Sequence, residues 1–219
     1  MTSQQLNLQC FEVNMIQENC YVVWDETREA VMIDCGAFYP EERQALKNFV
    51  HDKGLTLKRL LNTHAHFDHI FGAQFVYDEW GVAIEICEAE RDTYEQSVKQ
   101  MQQFMHRSLP LTLPPVAATF SDGDELPFGQ CALQVIATPG HTPGGVCFYA
   151  EPQRLLFSGD SLFHGAIGRC DLPGGDEPTL ITALQQRVLT LPDEVVVYPG
   201  HGESTTVGEE RLRNPYLQY

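Results

Sequence analysis

The sequence predicts an α/β fold in which two β-sheets pack together with helices outside them. Two observations predict it. Short, apolar, β-branched runs are followed by helical stretches in two successive blocks, one on either side of residues 109–115. The hydrophobic fraction of 43% and charged fraction of 20% are those of a globule that can bury a core, and no apolar run approaches the ~20 residues of a membrane span.

The elements follow in order. Leu8 to Val13, Cys20 to Trp24 and Ala30 to Ile33 read as strands, with Asn19 and Asp25 to Arg28 supplying the turns. Pro40 to Asp52 has helical periodicity, with Leu46, Phe49 and Val50 on one face, proline in the first turn and Gly54 as the stop. Leu57 to Asn62 is the next strand, followed by a helix over Phe71 to Trp80 and a buried strand over Ala83 to Ile86. Glu88 to Arg107 is a long polar helical stretch, broken by the proline-rich segment Leu109 to Pro115. In the second block Leu133 to Ala137, Gly145 to Tyr149 and Leu155 to Ser158 are strand-like, Pro178 to Leu191 is helical, and Val195 to Tyr198 is a last buried strand. The candidate ligands below fall on both sides of the proline-rich segment, so the expectation is one domain over residues 1–219.

The charge balance excludes one class of partner. Fourteen Lys plus Arg stand against 30 Asp plus Glu, for a formal charge of −16. Such a surface repels phosphate backbones, so a small-molecule substrate is expected rather than nucleic acid. Met1 to Gln9 carries neither a basic nor an apolar leader segment. The seven cysteines are an odd number with no Cys-x-x-Cys pair, which suits a reducing cytoplasm.

The chemistry concentrates at Thr63-His64-Ala65-His66-Phe67-Asp68-His69. Alternate residues leaving a strand point the same way, so His64 and His66 can face one point, while Asp68 and His69 follow as the chain turns. His141 in Pro139-Gly140-His141-Thr142-Pro143, Asp160 in Ser158-Gly159-Asp160-Ser161 and His201 in Pro199-Gly200-His201-Gly202 each lie just past an apolar strand in a glycine-containing loop. Imidazole plus carboxylate without thiolate suits zinc, with iron or manganese as alternatives. Five His and two Asp exceed one tetrahedral site and fit two divalent ions sharing a bridge. His51 and His106 read as solvated helix residues, and His164 is left open.

With those residues in hand, the chain resembles the metallo-β-lactamase fold superfamily. Thr63 to His69 matches its T-H-x-H-x-D-H motif, and His141, Asp160 and His201 match its later stations in order. The resemblance implies a four-layer αββα sandwich with the site at one edge of the sheets. It implies one metal on His64, His66 and His141, a second on Asp68, His69 and His201, and Asp160 as the bridge. Asp34, in Ile33-Asp34-Cys35-Gly36, would fix a ligand imidazole or a loop from behind. Within the superfamily the chain looks like a short glyoxalase II-like (hydroxyacylglutathione hydrolase-like) thioesterase, through Phe163 to Asp176 and Arg213-Asn214-Pro215-Tyr216-Leu217. Full-length members carry a C-terminal helical domain that recognises glutathione. The sequence stops at Tyr219, so the hydrolytic core is implied and the thiol is left open.

Two metals flanking a water would lower its pKa toward neutrality, and the resulting hydroxide would attack a thioester carbonyl, with Asp68 and Asp160 assisting. No Ser stands in a G-x-S-x-G elbow to compete as nucleophile. Arg169 is a candidate for a substrate carboxylate or for an ion pair with Asp171 or Asp176. Cys35 and Cys170 read as inert. The rival readings are a persulfide dioxygenase-like oxidoreductase using one iron, a lactone or other ester hydrolase of the same fold, and a binding protein with a structural metal.

Overall fold

The computed structural model describes residues 5–106 and 111–218. Its elements are β1 (Asn7–Val13), β2 (Glu18–Trp24), β3 (Glu29–Ile33), α1 (Pro40–Asp52), β4 (Thr56–Leu61), α2 (Ala73–Trp80), β5 (Ile84–Cys87), α3 (Arg91–Met105), β6 (Val116–Phe120), β7 (Glu125–Phe128), β8 (Cys131–Ala137), β9 (Val146–Ala150), β10 (Leu155–Gly159), β11 (Leu162–Phe163), β12 (Ala166–Ile167), α4 (Glu177–Ala183), β13 (Val196–Pro199), β14 (Thr205–Thr206) and α5 (Val207–Arg213). Arg107, Leu109 and Pro110, at the expected helix end and its break, lie outside the described residues.

Two six-stranded sheets form, in the orders β1-β2-β3-β4-β5-β6 and β14-β13-β10-β9-β8-β7. Strand alternation decides what each face meets. On β2, Val23 turns toward the second sheet and packs in a cluster with Ile33, Leu61, Leu133, Phe148 and Phe157. Its neighbour Val22 turns outward with Met32 and Leu60 against Leu46 of α1, Val76 of α2 and Tyr94 of α3. On the far side, Cys147, Leu156 and Val197 meet Leu180 of α4, Val188 and Val207 of α5. The layers are therefore helix, sheet, sheet, helix, the αββα sandwich the resemblance implies. Covering both faces of both sheets explains why β9 is apolar throughout and β2 is apolar from Cys20 onward, rather than alternating. Phe148 and Phe157 lie fully buried between the sheets, where truncation of either to Ala costs about 3–5 kcal/mol.

Register gathers the loops. The β3–β4 pair is parallel and ends with Ile33 opposite Leu61, so Asp34 and Asn62 leave the sheet side by side. Leu61 pairs in turn with Glu85 of β5. In the second sheet β10 runs parallel to β13 with Gly159 opposite Pro199, and Ala137 pairs with Val146. The segments after β3, β4, β8, β10 and β13 therefore share one edge.

Several elements depart from expectation. β6, β7, the hairpin β11–β12, β14 and α5 were not anticipated. Asn19, expected in a turn, is buried in β2. The helix expected from Pro178 to Leu191 is a short α4 that continues as a π-turn over Leu184–Val188. The helix expected from Glu88 begins with a 3₁₀ turn, Glu88–Glu90, before α3. No helix among the described residues is long and apolar enough to cross a membrane.

Candidate metal centre

The chain leaving β4 runs extended through His64 and His66 and then closes a 3₁₀ turn over Phe67–His69. That turn points Asp68 and His69 back toward the same centre. His141, Asp160 and His201 arrive from the second sheet. The structure brings all seven together, in two groups of converging ligand atoms: His64, His66 and His141, and Asp68, His69 and His201. Asp160 lies between them. Its Oδ2 is 3.7 Å from His141 Nε2 and 3.7 Å from His201 Nε2, while its Oδ1 is 3.3 Å from His69 Nε2. His201 Nε2 is 3.3 Å from Asp68 Oδ2.

Four imidazoles are held from behind through Nδ1. His69 Nδ1 lies 3.0 Å from Asp34 Oδ2, His141 Nδ1 2.7 Å from the Arg169 carbonyl and His201 Nδ1 3.0 Å from the Gln17 carbonyl. Carboxylate and carbonyl oxygens accept only, so each Nδ1 donates and, in the neutral ring, Nε2 is left with the lone pair. His64 follows the same rule at one remove. Thr63 Oγ1 donates its proton to Asp34 Oδ2 at 2.7 Å, so across 3.1 Å it accepts from His64 Nδ1. Asp34 also accepts from Thr63 N–H and from the Asn62 amide. It lies near His64 and His69 as a third grouping, but its oxygens already receive four donors, an arrangement suited to bracing the imidazoles from behind.

This arrangement fits a cation. His64 Nε2 and His141 Nε2 face each other at 3.2 Å with lone pairs opposed. Burial, with the neighbouring His69 and His141, pushes the His64 pKa well below its ordinary value, and burial takes His66 to about 4, so neither ring takes up a second proton at neutral pH. His69 Nε2 and Asp160 Oδ1 are buried without a hydrogen-bond partner. Burial opposes a charge on His69, but Asp160 and Asp68 outweigh it and raise its pKa well above normal. Burial likewise opposes the Asp160 carboxylate, and His69 and His201 hold it well below the usual range. A cluster of opposed lone pairs and unpartnered buried atoms is what a divalent ion resolves.

The backbone is shaped for close approach. Asp34 has φ of 49°, a left-handed conformation that Asp tolerates better than most residues. A Cβ at Gly200 would run into Asp160 Oδ1 and come within 2.7 Å of His69 Cε1. The His201 loop is tied down by Asn19, whose amide donates to the Pro199 and Gly202 carbonyls, and by the Tyr21 hydroxyl, which donates to Pro199. Asn14 donates to the carbonyls of Gly36 and Asp68. Sequence reasoning passed over Asn14, Asn19 and Glu90, because side chains that bond backbone atoms at long range leave no local spacing signal.

The centre opens into a cleft of about 720 Å³. His66, Asp68, His141, Asp160 and His201 form its floor, and Ile16, Phe67, Phe104, Phe163, Ile167 and Leu172 line its walls. Arg169 stands at its rim, with the guanidinium bound two-pronged to Asp171 at 2.7 Å and 2.7 Å. Asp176 instead caps α4 through Thr179 N–H. His51 is exposed beside Asp52, and His106 and His164 are exposed. Cys35 is buried and Cys170 half-buried.

Comparison with known proteins agrees with this geometry. Residues 13–201 match the metallo-beta-lactamase superfamily. The chain is 34% identical over 213 residues to a protein named hydroxyacylglutathione hydrolase GloC from Haemophilus influenzae, covering 97% of this chain and 98% of that one. It superposes on the crystal structure of BLEG-1 B3 metallo-beta-lactamase with a TM-score of 0.89 and 33% identity, over 97% of this chain and 100% of that one. The crystal structure of TTHA1623 in a di-iron-bound form gives a TM-score of 0.84 and 36% identity, over 95% of this chain and 100% of that one. The match runs through every loop that reaches the cluster, and the chain belongs to the metallo-beta-lactamase superfamily.

Proposed function

We propose that this chain is a thioester hydrolase that works with two divalent metal ions, zinc in the first instance. The observation that carries the reading is the paired ligand groups, His64/His66/His141 and Asp68/His69/His201, with Asp160 between them on the floor of one cleft. The relative named hydroxyacylglutathione hydrolase supports the thioester as substrate.

Bound ions would supply Lewis acidity toward a carbonyl oxygen and lower the pKa of a water toward neutrality. The chain's residues prepare the place for that chemistry. Asp34 and the Arg169 and Gln17 carbonyls fix the proton of each neutral ring on Nδ1 and aim Nε2 inward. Asp160, kept anionic, faces both groups. His201, with a side chain 22% exposed, is the outermost of the five clustered histidines and adjoins Asp68 at the cleft floor. The apolar walls take up the uncharged part of a substrate and thin the water around the carbonyl. Arg169 can meet a substrate carboxylate by giving up part of its pairing with Asp171.

The test is metal analysis of protein purified without added metal, with hydrolysis of S-lactoylglutathione measured on the same sample. Two ions per chain with thioester turnover are expected. One iron per chain with oxygen consumption on a persulfide would replace the reading with an oxidoreductase. Lactone, ester and β-lactam substrates belong in the same panel, the last because of the likeness to a B3 metallo-beta-lactamase. Turnover of one of these without thioester turnover would move the substrate class.

A further inference from the structure

Glu90 is a charged side chain with 0% exposure that none of the roles above uses. It closes the 3₁₀ turn after β5 and precedes α3. Its Oε2 accepts the Ala65 N–H at 2.9 Å, and its Oε1 accepts the Gly144 N–H at 2.7 Å. Ala65 stands between His64 and His66, and Gly144 lies three residues past His141. The first loop leaves one sheet and the second leaves the other. One carboxylate thus spans the two segments that make up the His64/His66/His141 group. The fit is close, because a Cβ on Gly144 would come within 2.7 Å of the Glu90 nitrogen. Val146 N–H to the Thr63 carbonyl, at 3.0 Å, is a second tie between the same segments.

The other group is braced by different residues. Asn14 holds the Asp68 carbonyl, while Asn19 and Tyr21 hold the His201 loop. A change at Glu90 therefore reaches the first group directly and the second only through the fold.

Resting on the two-ion reading, we infer that Glu90 is a positioning residue for the ion on His64, His66 and His141, and that altering it weakens that ion selectively. Glutamine is the informative substitution. Its amide accepts with one atom and donates with the other, so it cannot receive both N–H groups. One backbone donor is then stranded in the interior, and the segments relax apart to relieve it. The 3.2 Å approach of His64 Nε2 to His141 Nε2 depends on their spacing.

The experiment is competitive chelator titration of the metal-free chain with zinc, repeated with cobalt(II) followed by its visible absorption, on wild type and E90Q. H141A and H201A, which each disable one group, assign the two binding steps. The expected result is a loss of roughly 10–100-fold in the step that H141A removes, the usual size of such supporting-residue effects, with the other step within about twofold. Equal weakening of both steps, or of neither, overturns the inference. Retention of the second step is the internal sign that E90Q is folded. Should E90Q not fold, E90D, which keeps the charge with a shorter reach, is put through the same comparison. A wild-type chain that takes up one ion overturns the two-ion reading. The role of Glu90 is then decided by whether H141A and E90Q both weaken that ion.

Discussion

Asp34→Asn tests how the centre keeps its ligands in the right protonation state. The backbone is expected to tolerate the change, since Asn shares the tolerance of Asp for the left-handed conformation at φ 49°. The amide orientation is forced. Oδ1 accepts from the Thr63 N–H and the Asn62 amide, and the backbone donor cannot become an acceptor, so the oxygen of the introduced amide must stay there. The new NH₂ then faces Thr63 Oγ1 and His69 Nδ1, where Oδ2 had accepted. His69 Nδ1 must become an acceptor, which moves its proton to Nε2. Thr63, now accepting from that NH₂, turns its own proton toward His64 Nδ1 and moves that ring's proton to Nε2 as well. One substitution thus masks a lone pair in each ligand group. Restoring each tautomer for binding should weaken each ion by about 10–100-fold, or about 1.4–2.7 kcal/mol. Turnover should fall by about 10²–10⁴-fold, the upper figure being the scale of a wrong-tautomer substitution in a catalytic triad. Folding should survive, since one exchanged buried acceptor costs about 1–3 kcal/mol against a total stability of about 5–15. Zinc affinity by chelator competition, turnover and thermal unfolding of the metal-free chain are the readouts. Wild-type zinc affinity at both steps in a folded D34N would refute the tautomer argument.

Other expectations follow from the same geometry. Gly200→Ala puts a methyl group against Asp160 Oδ1 and His69 Cε1, and should cost about 10²-fold in turnover through displacement of the centre, read from kcat with metal content measured alongside. Phe104 is 48% exposed on the cleft wall, and Phe104→Ala should raise KM about fivefold for thioesters with apolar acyl groups, about 1 kcal/mol of lost contact, with kcat unchanged. Arg169→Ala should raise KM for carboxylate-bearing substrates and leave uncharged ones alone, a comparison of paired substrates settling the matter. Metal loading should show two pH dependences. His69 is raised well above the ordinary ~6.5 by Asp160 and Asp68 despite burial, which favours a second ring proton, on Nε2, that an ion must displace. Affinity at the Asp68/His69/His201 group should rise with pH through the neutral range, with a proton released on loading. His64, pushed well below its ordinary value, and His66, held near 4 by burial, should each release no proton when their group loads near neutral pH. Calorimetry in buffers of different ionisation enthalpy counts the released protons.

What the sequence made legible was whatever sits close together along the chain. His64, His66, Asp68 and His69 announce themselves because four ligand-type residues in so short a run have no packing explanation. The apolar strands β2, β3, β9 and β10 were readable because both their faces are covered. β7 was not, since Pro127 argues against a strand, and the structure accommodates it at the edge of its sheet, where a missing N–H costs little. β14 and α5 are short, and α5 carries Gly208 in its first turn, so neither periodicity nor propensity accumulates. Glu90 lay hidden in a stretch rich in exposed carboxylates. Only the partner loops distinguish it from Glu88, whose side chain is exposed and pairs with Arg91.

The two braces divide the centre in different ways, and that division gives a sharper test than either substitution alone. Asp34 touches both groups, through His69 directly and through Thr63 to His64, and it acts on protonation. Glu90 touches the segments of one group and acts on spacing. A tautomer shift by itself exchanges no proton with solvent, but D34N also removes the Asp34 acceptor that helps raise the His69 pKa. The protons displaced at that ion therefore change, and the weakening there should vary with pH. A spacing defect should not, so the weakening in E90Q should be constant across the same range. In the double variant both defects fall on the His64/His66/His141 ion, whereas the other ion carries the Asp34 defect alone. Their losses should add at the first step if protonation and spacing are independent. Strong non-additivity there would mean that the His64 ring turns when its loop shifts, making the two braces one cooperative unit.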